Sequence, residues 1–146
     1  MKMNTANKDY SFEFTSSQNR ELVYGSLLNV RQWWSGLFGE EIEGSSEKIN
    51  DVFTFCAGGG VHESVQKLIE LVPNEKITWL VTESNLNFLE NPNEWANTRI
   101  GFEISGVPGN IKVRFTHFGL QPQIECYSQC TDAWTLYMRN LENRLK

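Results

Sequence analysis

Residues 125–145 read ECYSQCTDAWTLYMRNLENRL, and apolar side chains recur in this segment at three- and four-residue spacing. They are Cys130, Trp134, Tyr137, Met138, Leu141 and Leu145. The opposite side of the same helical projection carries Arg139, Asn140, Glu142 and Asn143. This spacing predicts one long amphipathic helix, whose single apolar stripe must be buried against another layer of the fold.

Two alternating segments precede this helix and predict the layer against which it packs. In residues 98–105 and 111–116 every second side chain is large and apolar: Ile100, Phe102, Ile104, Ile111, Val113 and Phe115. Pro108 and Gly109, between the two segments, indicate a hairpin turn. Strands with one apolar and one polar face are typical of an antiparallel sheet that is covered on one side only.

The chain upstream of residue 98 adds further strands and two short helices. Alternation and turn spacing predict strands at 10–15, 51–56, 61–72 and 76–82, with weaker strand character at 41–43 and a polar loop at 84–97. A helix is expected from about Gln18, capped by Ser16 or Ser17, and a second one from Val30 to Phe38. The predicted fold is therefore α+β, with a curved antiparallel sheet wrapped around the terminal helix and both short helices after the first strand.

Length and composition bound the class of protein. A chain of 146 residues is too short for two good cores, so we expect one domain, at 10–146. The polar residues 1–9 are expected to form a flexible tail. The net charge is −5 and the basic residues are dispersed, which argues against nucleic-acid binding and against membrane-surface binding. No apolar run reaches the roughly 18–20 residues of a membrane span. Three cysteines without a Cys-x-x-Cys pair, together with a polar N-terminus, predict a cytoplasmic protein with reduced thiols.

Three C-terminal motifs resemble a known family. Residues 115–120 read FTHFGL, residues 125–127 read ECY and residues 133–137 read AWTLY, and Trp33-Trp34 falls in the second short helix. With the order of elements, these motifs resemble the START-like (SRPBCC, helix-grip) superfamily and, within it, the heat-shock protein 90 ATPase activator homologue-like family. Ala133 stands where that family usually has glycine. The resemblance implies a helix-grip fold with an internal apolar cavity, and only weakly implies chaperone stimulation.

Large side chains at inward-facing positions are the candidate ligand contacts. The predicted ligand-binding residues are Trp33, Trp34, Phe53, Phe55, Trp95, Phe102, Phe115, His117, Trp134, Tyr137 and Met138. Aromatic side chains in this number could fill a solid core, or they could line a cavity between the sheet and the helix. His117 could contact a ligand or act as an acid or base, although a structural role beside the Gly119-Leu120 turn is the stronger expectation. His62, which follows the glycine triplet, is expected to be exposed.

Other motifs favour structural interpretations. Gly58-Gly59-Gly60 joins two antiparallel strands and lacks a following helix and lysine, so a hairpin turn is expected rather than a phosphate site. Cys126, Cys130 and His117 would leave zinc one protein ligand short, so we expect no metal site and no cofactor. The small acidic run at 40–43 is expected to be a solvated edge, and the sequence provides no support for a catalytic triad or dyad.

Three functional hypotheses follow. The first is a non-enzymatic binding or carrier domain for a small hydrophobic or amphipathic ligand held in an internal cavity. The second is a protein-interaction module of the chaperone ATPase-activator type, which would use its surface and have a filled core. The third is a cyclase- or hydrolase-like enzyme on the same fold, which would need a titratable pair facing the pocket.

Overall fold

The computed structural model describes residues 8–146, so most of the predicted tail at 1–9 lies outside the described residues. The strands are β1 Tyr10–Ser16, β2 Glu41–Gly44, β3 Val52–Ala57, β4 His62–Val72, β5 Lys76–Leu86, β6 Arg99–Val107 and β7 Asn110–Phe118. The helices are α1 Arg20–Leu28, α2 Val30–Trp33 and α3 Tyr127–Arg144, with a 3₁₀ turn at Gly58–Gly60.

All strands form one curved seven-stranded sheet in the order β1-β7-β6-β5-β4-β3-β2, and every neighbouring pair is antiparallel. The first and last strands are neighbours in the sheet, because β7 pairs with β1, for example Phe115 with Phe12. Both short helices follow β1, and α3 lies on the concave face. The predicted α+β helix-grip architecture is confirmed.

The apolar stripe of α3 is buried against the sheet, because alternation places large side chains on the inner face of every long strand. Trp134, Met138 and Leu141 are all almost completely buried. On the strands, Phe102 and Phe115 are inward-facing and fully buried, whereas Lys112 and Arg114 on the same hairpin are exposed. Burial of this much apolar surface is the main favourable contribution to folding.

The short helices differ in extent from the prediction. The first begins at Arg20, because Asn19 caps it by accepting from the backbone N–H of Leu22 (2.7 Å). Ser16 cannot serve as that cap, since it still belongs to β1 and donates its hydroxyl hydrogen to the carbonyl of Leu145. The second helix ends at Trp33 rather than Phe38, because the N–H groups of Leu37 and Phe38 donate to the Glu40 carboxylate instead of to helical carbonyls.

The predicted polar loop at 84–97 also begins later than expected. Strand β5 continues to Leu86, with Ser84 and Leu86 buried on the inner face and Leu86 paired to His62. The extension brings the start of the following loop, which carries Phe88 and Trp95, next to the end of β3 and the start of β4. This placement lets Phe88 and Trp95 line the pocket described below, beside α3 and the β3–β4 turn.

Candidate functional site

A pocket of about 240 Å³ lies between the amino-terminal half of α3 and the sheet. The helix contributes one wall, formed by Gln129, Cys130, Ala133, Trp134 and Tyr137. The turn between β3 and β4 and its flanking residues contribute the other: Phe55, Ala57, Gly58, Val61 and His62. The remaining lining residues are Trp34, Phe38, Phe88 and Trp95. None of these lining residues carries a full charge at neutral pH, so the pocket suits apolar, uncharged surfaces.

Aromatic rings form the inner part of the pocket. Trp34 is stacked on Phe55, with ring centroids 4.0 Å apart and planes 18° from parallel. Trp95 and Trp134 are also nearly parallel, at 11° and 5.8 Å. The indole N–H of Trp95 donates to Cys126 Sγ (3.3 Å) and that of Trp134 to His117 Nδ1 (3.0 Å). The polar edges of these two rings are therefore committed within the protein, and their remaining surfaces are apolar.

Three large apolar side chains form the rim of the pocket and remain substantially exposed: Phe38 at 44%, Val61 at 42% and Phe88 at 42%. Backbone hydrogen bonds tie the segments that carry them. The carbonyl of Phe38 accepts from Gly58 N (2.9 Å), and the carbonyl of Val61 accepts from Asn87 N (3.0 Å). The rim is thus a connected surface that exposes apolar side chains beside an opening.

Carboxylates hold the two loops of this rim in place. Glu40 accepts from the N–H groups of Leu37 and Phe38 and from the hydroxyl of Tyr137 (2.5 Å). Partial burial alone would raise the pKa of Glu40, but these hydrogen bonds lower it. Burial and the same carboxylate raise the pKa of Tyr137. The Glu40–Tyr137 bond therefore persists at neutral pH and fixes the Phe38 loop to α3.

The loop that carries Phe88 is fixed to α3 by a reciprocal pair of carboxylates. Glu94 accepts from the backbone N–H groups of Glu125 (2.9 Å) and Cys126 (3.1 Å), just before the helix. Glu125 in turn accepts from the backbone N–H groups of Glu90 (3.0 Å) and Asn91 (3.4 Å). Acidic side chains on unpaired N–H groups at the start of a helix also complement its dipole.

The centre of the interface between α3 and the sheet, in contrast, is filled by aromatic side chains. Trp33 meets Phe102 edge to face (5.2 Å), Phe102 meets Phe115 (5.2 Å), and Phe115 meets Trp134 (4.7 Å). Of the predicted ligand contacts, the pocket brings together Trp34, Phe55, Trp95, Trp134 and Tyr137. The other predicted residues are buried away from it: Trp33, Phe53, Phe102, Phe115, His117 and Met138. The open space is therefore at one end of the helix rather than at its centre.

His117 is fully buried, and both of its ring nitrogens are engaged within the fold. Indole N–H groups can only donate, so the bond from Trp134 makes Nδ1 an acceptor and places the proton on Nε2. That N–H donates to Thr98 Oγ1 (2.8 Å), and the Thr98 hydroxyl donates to the carbonyl of Trp95 (2.6 Å). Burial, with a smaller contribution from His62, lowers the pKa of His117 to about 3. The ring is neutral at physiological pH and orders the core.

The glycine after this histidine is required by close packing. Gly119 has φ +104°, and a Cβ there would lie 2.8 Å from Thr98 Cγ2. The same glycine donates its N–H to the carboxylate of Asp9 (2.9 Å). Thr98 must approach this turn to reach His117, so the position two residues after the histidine has room only for glycine.

His62 is not exposed as expected: its side chain lies at the pocket, edge to face with Phe55 (5.1 Å) and Trp95 (4.5 Å). Within the described residues, its Nε2 is buried and has no hydrogen-bond partner. Burial lowers the pKa of His62 to about 4, so the imidazole is neutral at physiological pH. An unpartnered buried nitrogen costs free energy that a bound molecule could recover.

A sequence signal for this inward orientation exists in β4. Glu63 and Lys67 are an even number of positions apart, so they share one face of the strand, and their charges turn that face toward solvent. The opposite face, which carries His62, Ser64 and Gln66, must then point inward. In the structure Ser64 and Gln66 are buried, and the Gln66 amide donates to Ser64 Oγ (2.5 Å). Gln66 Oε1 is a second buried polar atom without a partner among the described residues. The pocket therefore lies at the end of a short row of polar side chains on the inner face of β4.

Cys130 of α3 is held as a protonated thiol. The neighbouring Cys126 thiol and burial raise the pKa of Cys130, so neither the thiolate nor a metal ligand is favoured there. In residues 8–146, no group of three or more His, Cys, Asp or Glu side chains is placed to hold a metal ion. Over the same residues, no helix is both long and apolar enough to cross a membrane.

Comparisons with known proteins identify the class of fold. The Aha1 dimer from Colwellia psychrerythraea superimposes with a TM-score of 0.72 at 21% identity, over 94% of this chain and 95% of that one. Protein CV1439 from Chromobacterium violaceum matches with a TM-score of 0.68 at 15% identity, over 94% and 96%. Protein MLL2253 from Mesorhizobium loti matches with a TM-score of 0.67 at 16% identity, over 92% and 95%.

At these identities the likeness establishes the fold, and the chain has the START-like (SRPBCC) helix-grip fold predicted from its sequence. No protein-family model matches the chain, and no curated protein matches it in sequence. What the domain does must therefore be argued from the site.

Proposed function

We propose that this domain binds a small hydrophobic molecule in the pocket between α3 and the β3–β4 turn. The observation that carries the proposal is an apolar, aromatic-lined opening between α3 and the β3–β4 turn. Its rim exposes Phe38, Val61 and Phe88 where burial by a ligand would be favourable, at about 25 cal/mol per Å² of apolar surface removed from water. The SRPBCC superfamily to which the fold corresponds is a ligand-binding one.

The size of the pocket limits the ligand. Its volume of about 240 Å³ is smaller than the roughly 300–1,000 Å³ typical of sites for drug-sized molecules. A one- or two-ring compound fits, whereas a long acyl chain would have to extend past the rim. The absence of charged groups among the described lining residues favours a neutral ligand, because an ion buried there would have no counter-charge.

Binding of the neutral two-ring dye 6-propionyl-2-(dimethylamino)naphthalene tests the proposal. We expect the dye to bind with enhanced emission and to quench tryptophan fluorescence. Ala133→Phe should fill the pocket and weaken dye binding at least about tenfold, because the added ring occupies the space of the ligand. Ser128→Phe is the matched control, since Ser128 is exposed on the same helix and does not line the pocket.

The outcome discriminates between the pocket and non-specific adsorption. Equal dye affinity of Ala133→Phe and Ser128→Phe, both folded by circular dichroism, would contradict binding in the pocket. Native mass spectrometry of freshly purified protein adds an independent measurement. A co-purified small molecule should be present in the wild type and lost from Ala133→Phe.

A protein-interaction role is the second candidate, favoured by the exposed apolar rim. Under it, Phe38, Val61 and Phe88 would bind an apolar side chain of another protein chain, as in a chaperone-activator module. The Colwellia protein with the same fold is described as a dimer, so self-association is the first case to examine. Sedimentation velocity over a range of concentrations should then detect a dimer that Phe88→Ser abolishes. Leu136→Ser, at an equally exposed site outside the pocket, should leave that dimer intact.

A further inference from the structure

We propose that the pocket selects a neutral, flat aromatic molecule that carries a hydroxyl group, and that this hydroxyl forms a hydrogen bond with His62. The inference rests on the proposed function of the pocket and specifies the chemical class of its ligand. It is carried by a pocket-lining histidine whose buried Nε2 has no hydrogen-bond partner among the described residues, and by the engagement of the other polar side chains of the inner wall.

Of the other polar side chains that line the pocket, that of Gln129 is exposed to solvent, and those of the inner wall are already engaged. The Tyr137 hydroxyl donates to Glu40, the Trp134 indole donates to His117, and the Trp95 indole donates to Cys126. Cys130 is held as a weakly polar thiol. His62 Nε2, by contrast, has no partner in the part of the chain that the structure describes. Among the inner wall residues, His62 is thus the group that gains most from a ligand hydrogen bond.

A hydroxyl is the ligand group that matches this nitrogen. A neutral imidazole carries one N–H and one bare nitrogen, and a hydroxyl can donate to one or accept from the other. A carboxylate or ammonium group would be buried without a counter-charge, since no described lining residue supplies one. Because its pKa is lowered to about 4, His62 itself provides no positive charge near neutral pH.

The ring of His62 can present this nitrogen to the pocket without repacking its neighbours. It lies edge to face with Phe55 and Trp95, whose rings flank it at 5.1 and 4.5 Å. A half-turn about Cβ–Cγ exchanges Nε2 with Cε1 and leaves the outline of the ring almost unchanged, and histidine χ2 is broad. The stacked pair Trp34–Phe55 and the parallel pair Trp95–Trp134 provide flat apolar surfaces for an aromatic ligand.

Naphthalene and 1-naphthol are the probes that test the inference, measured by tryptophan quenching or calorimetry. A purely apolar pocket would prefer naphthalene, because the hydroxyl of naphthol must leave water without compensation. We expect the reverse, with 1-naphthol bound about tenfold more tightly than naphthalene, as one well-made hydrogen bond allows. His62→Phe should remove that preference while still binding naphthalene. Glu63→Gln, the exposed neighbour on the outer face of the strand, should retain it.

An NMR measurement on the unmodified protein avoids reliance on a variant that could lose its fold. The ¹⁵N resonance of one His62 ring nitrogen should shift with 1-naphthol and not with naphthalene. Equal affinity for the two probes, or a naphthol preference that His62→Phe retains, would overturn the inference and leave the pocket itself intact as a hydrophobic site. Failure of both probes to bind would overturn the inference and the proposed function together.

Discussion

The contact between α3 and the sheet is filled at its centre and open at its amino-terminal end. At the centre, Trp33, Phe102 and Phe115 meet at ring distances of 5.2 to 6.4 Å and are almost completely buried. At the amino-terminal end, Phe38, Val61 and Phe88 each leave more than two-fifths of their surface exposed. The centre gains stability by excluding water, whereas the amino-terminal end leaves apolar surface exposed to solvent.

The two histidines repeat this contrast in polar chemistry. Both face inward and both are neutral because burial lowers their pKa values. The ring of His117 has a partner for each nitrogen and closes a chain from Trp134 to the carbonyl of Trp95. The ring of His62 leaves Nε2 without a partner in residues 8–146. A satisfied polar group specifies a core, and an unsatisfied one beside an opening indicates a place for a ligand.

The largest expected effect is on stability at the filled centre. Phe102→Ala should lower the free energy of unfolding by about 3–5 kcal/mol, because it leaves a cavity among rings that cannot close around it. Phe38→Ala, at the open end, should cost less than about 1 kcal/mol, since nearly half of that side chain is already in solvent. Urea denaturation of both variants measures the difference. Similar losses of unfolding free energy in the two variants would show that the centre and the open end are packed alike.

The next effect concerns the pH dependence of stability through His117. Its folded pKa of about 3 lies below the unfolded value of about 6.5, so below pH 6.5 the unfolded state binds the extra proton and stability falls. Between pH 7 and pH 5 this one residue should account for a loss of about 2 kcal/mol. His117→Gln should be less stable than the wild type at pH 7. Between pH 7 and pH 5, however, its free energy of unfolding should fall by about 2 kcal/mol less than that of the wild type. Identical pH profiles for the two proteins would contradict the buried neutral imidazole.

Much of this fold could be predicted because it depends on periodicities that a single sequence displays. The stripe from Cys130 to Leu145 and the alternation around Phe102 and Phe115 determine which faces are buried. These patterns do not depend on the details of packing. Helix ends were less predictable, because Glu40 competes for the N–H groups of Leu37 and Phe38 through a side-chain bond that no periodicity indicates.

The position of the pocket was the part that sequence reasoning could not locate. The sequence pattern shows that a ring faces inward, but not whether it is packed on all sides. Phe102 and Trp134 therefore look alike in the sequence, although only Trp134 lines the pocket. That difference depends on how loops such as the one carrying Phe88 close over the sheet. The inward orientation of His62 was accessible from the sequence, because the charged side chains of Glu63 and Lys67 indicate which face of β4 is turned toward solvent.

A smaller effect is expected where Glu40 joins the rim to α3. Tyr137→Phe removes the hydroxyl that donates to the ionised Glu40 and should cost about 1.5 kcal/mol at pH 7, the lower end for a hydrogen bond to a charged group, because Glu40 keeps the N–H groups of Leu37 and Phe38. It should also weaken dye binding modestly, because the Phe38 loop loses its hydrogen bond to the helix and keeps only the ring contact between Phe38 and residue 137. Tyr24→Phe, a half-buried tyrosine outside the pocket, is the control. Unchanged stability in Tyr137→Phe would show that the bond does not fix the loop.

The smallest expected change in stability is at Phe88, where the effect on ligand exchange should be the clearest. Phe88→Ala should alter the free energy of unfolding by no more than about 0.5 kcal/mol, because its side chain is 42% exposed and its loop is held independently by Glu94 and Glu125. The same change widens the rim, so stopped-flow release of the dye should become several-fold faster while association changes little. Leu136→Ala removes a comparable exposed side chain away from the pocket and should leave the release rate unchanged. Equal release rates in the two variants would mean that the rim does not contact the bound molecule, and that the open end retains its ligand through the inner aromatic wall alone.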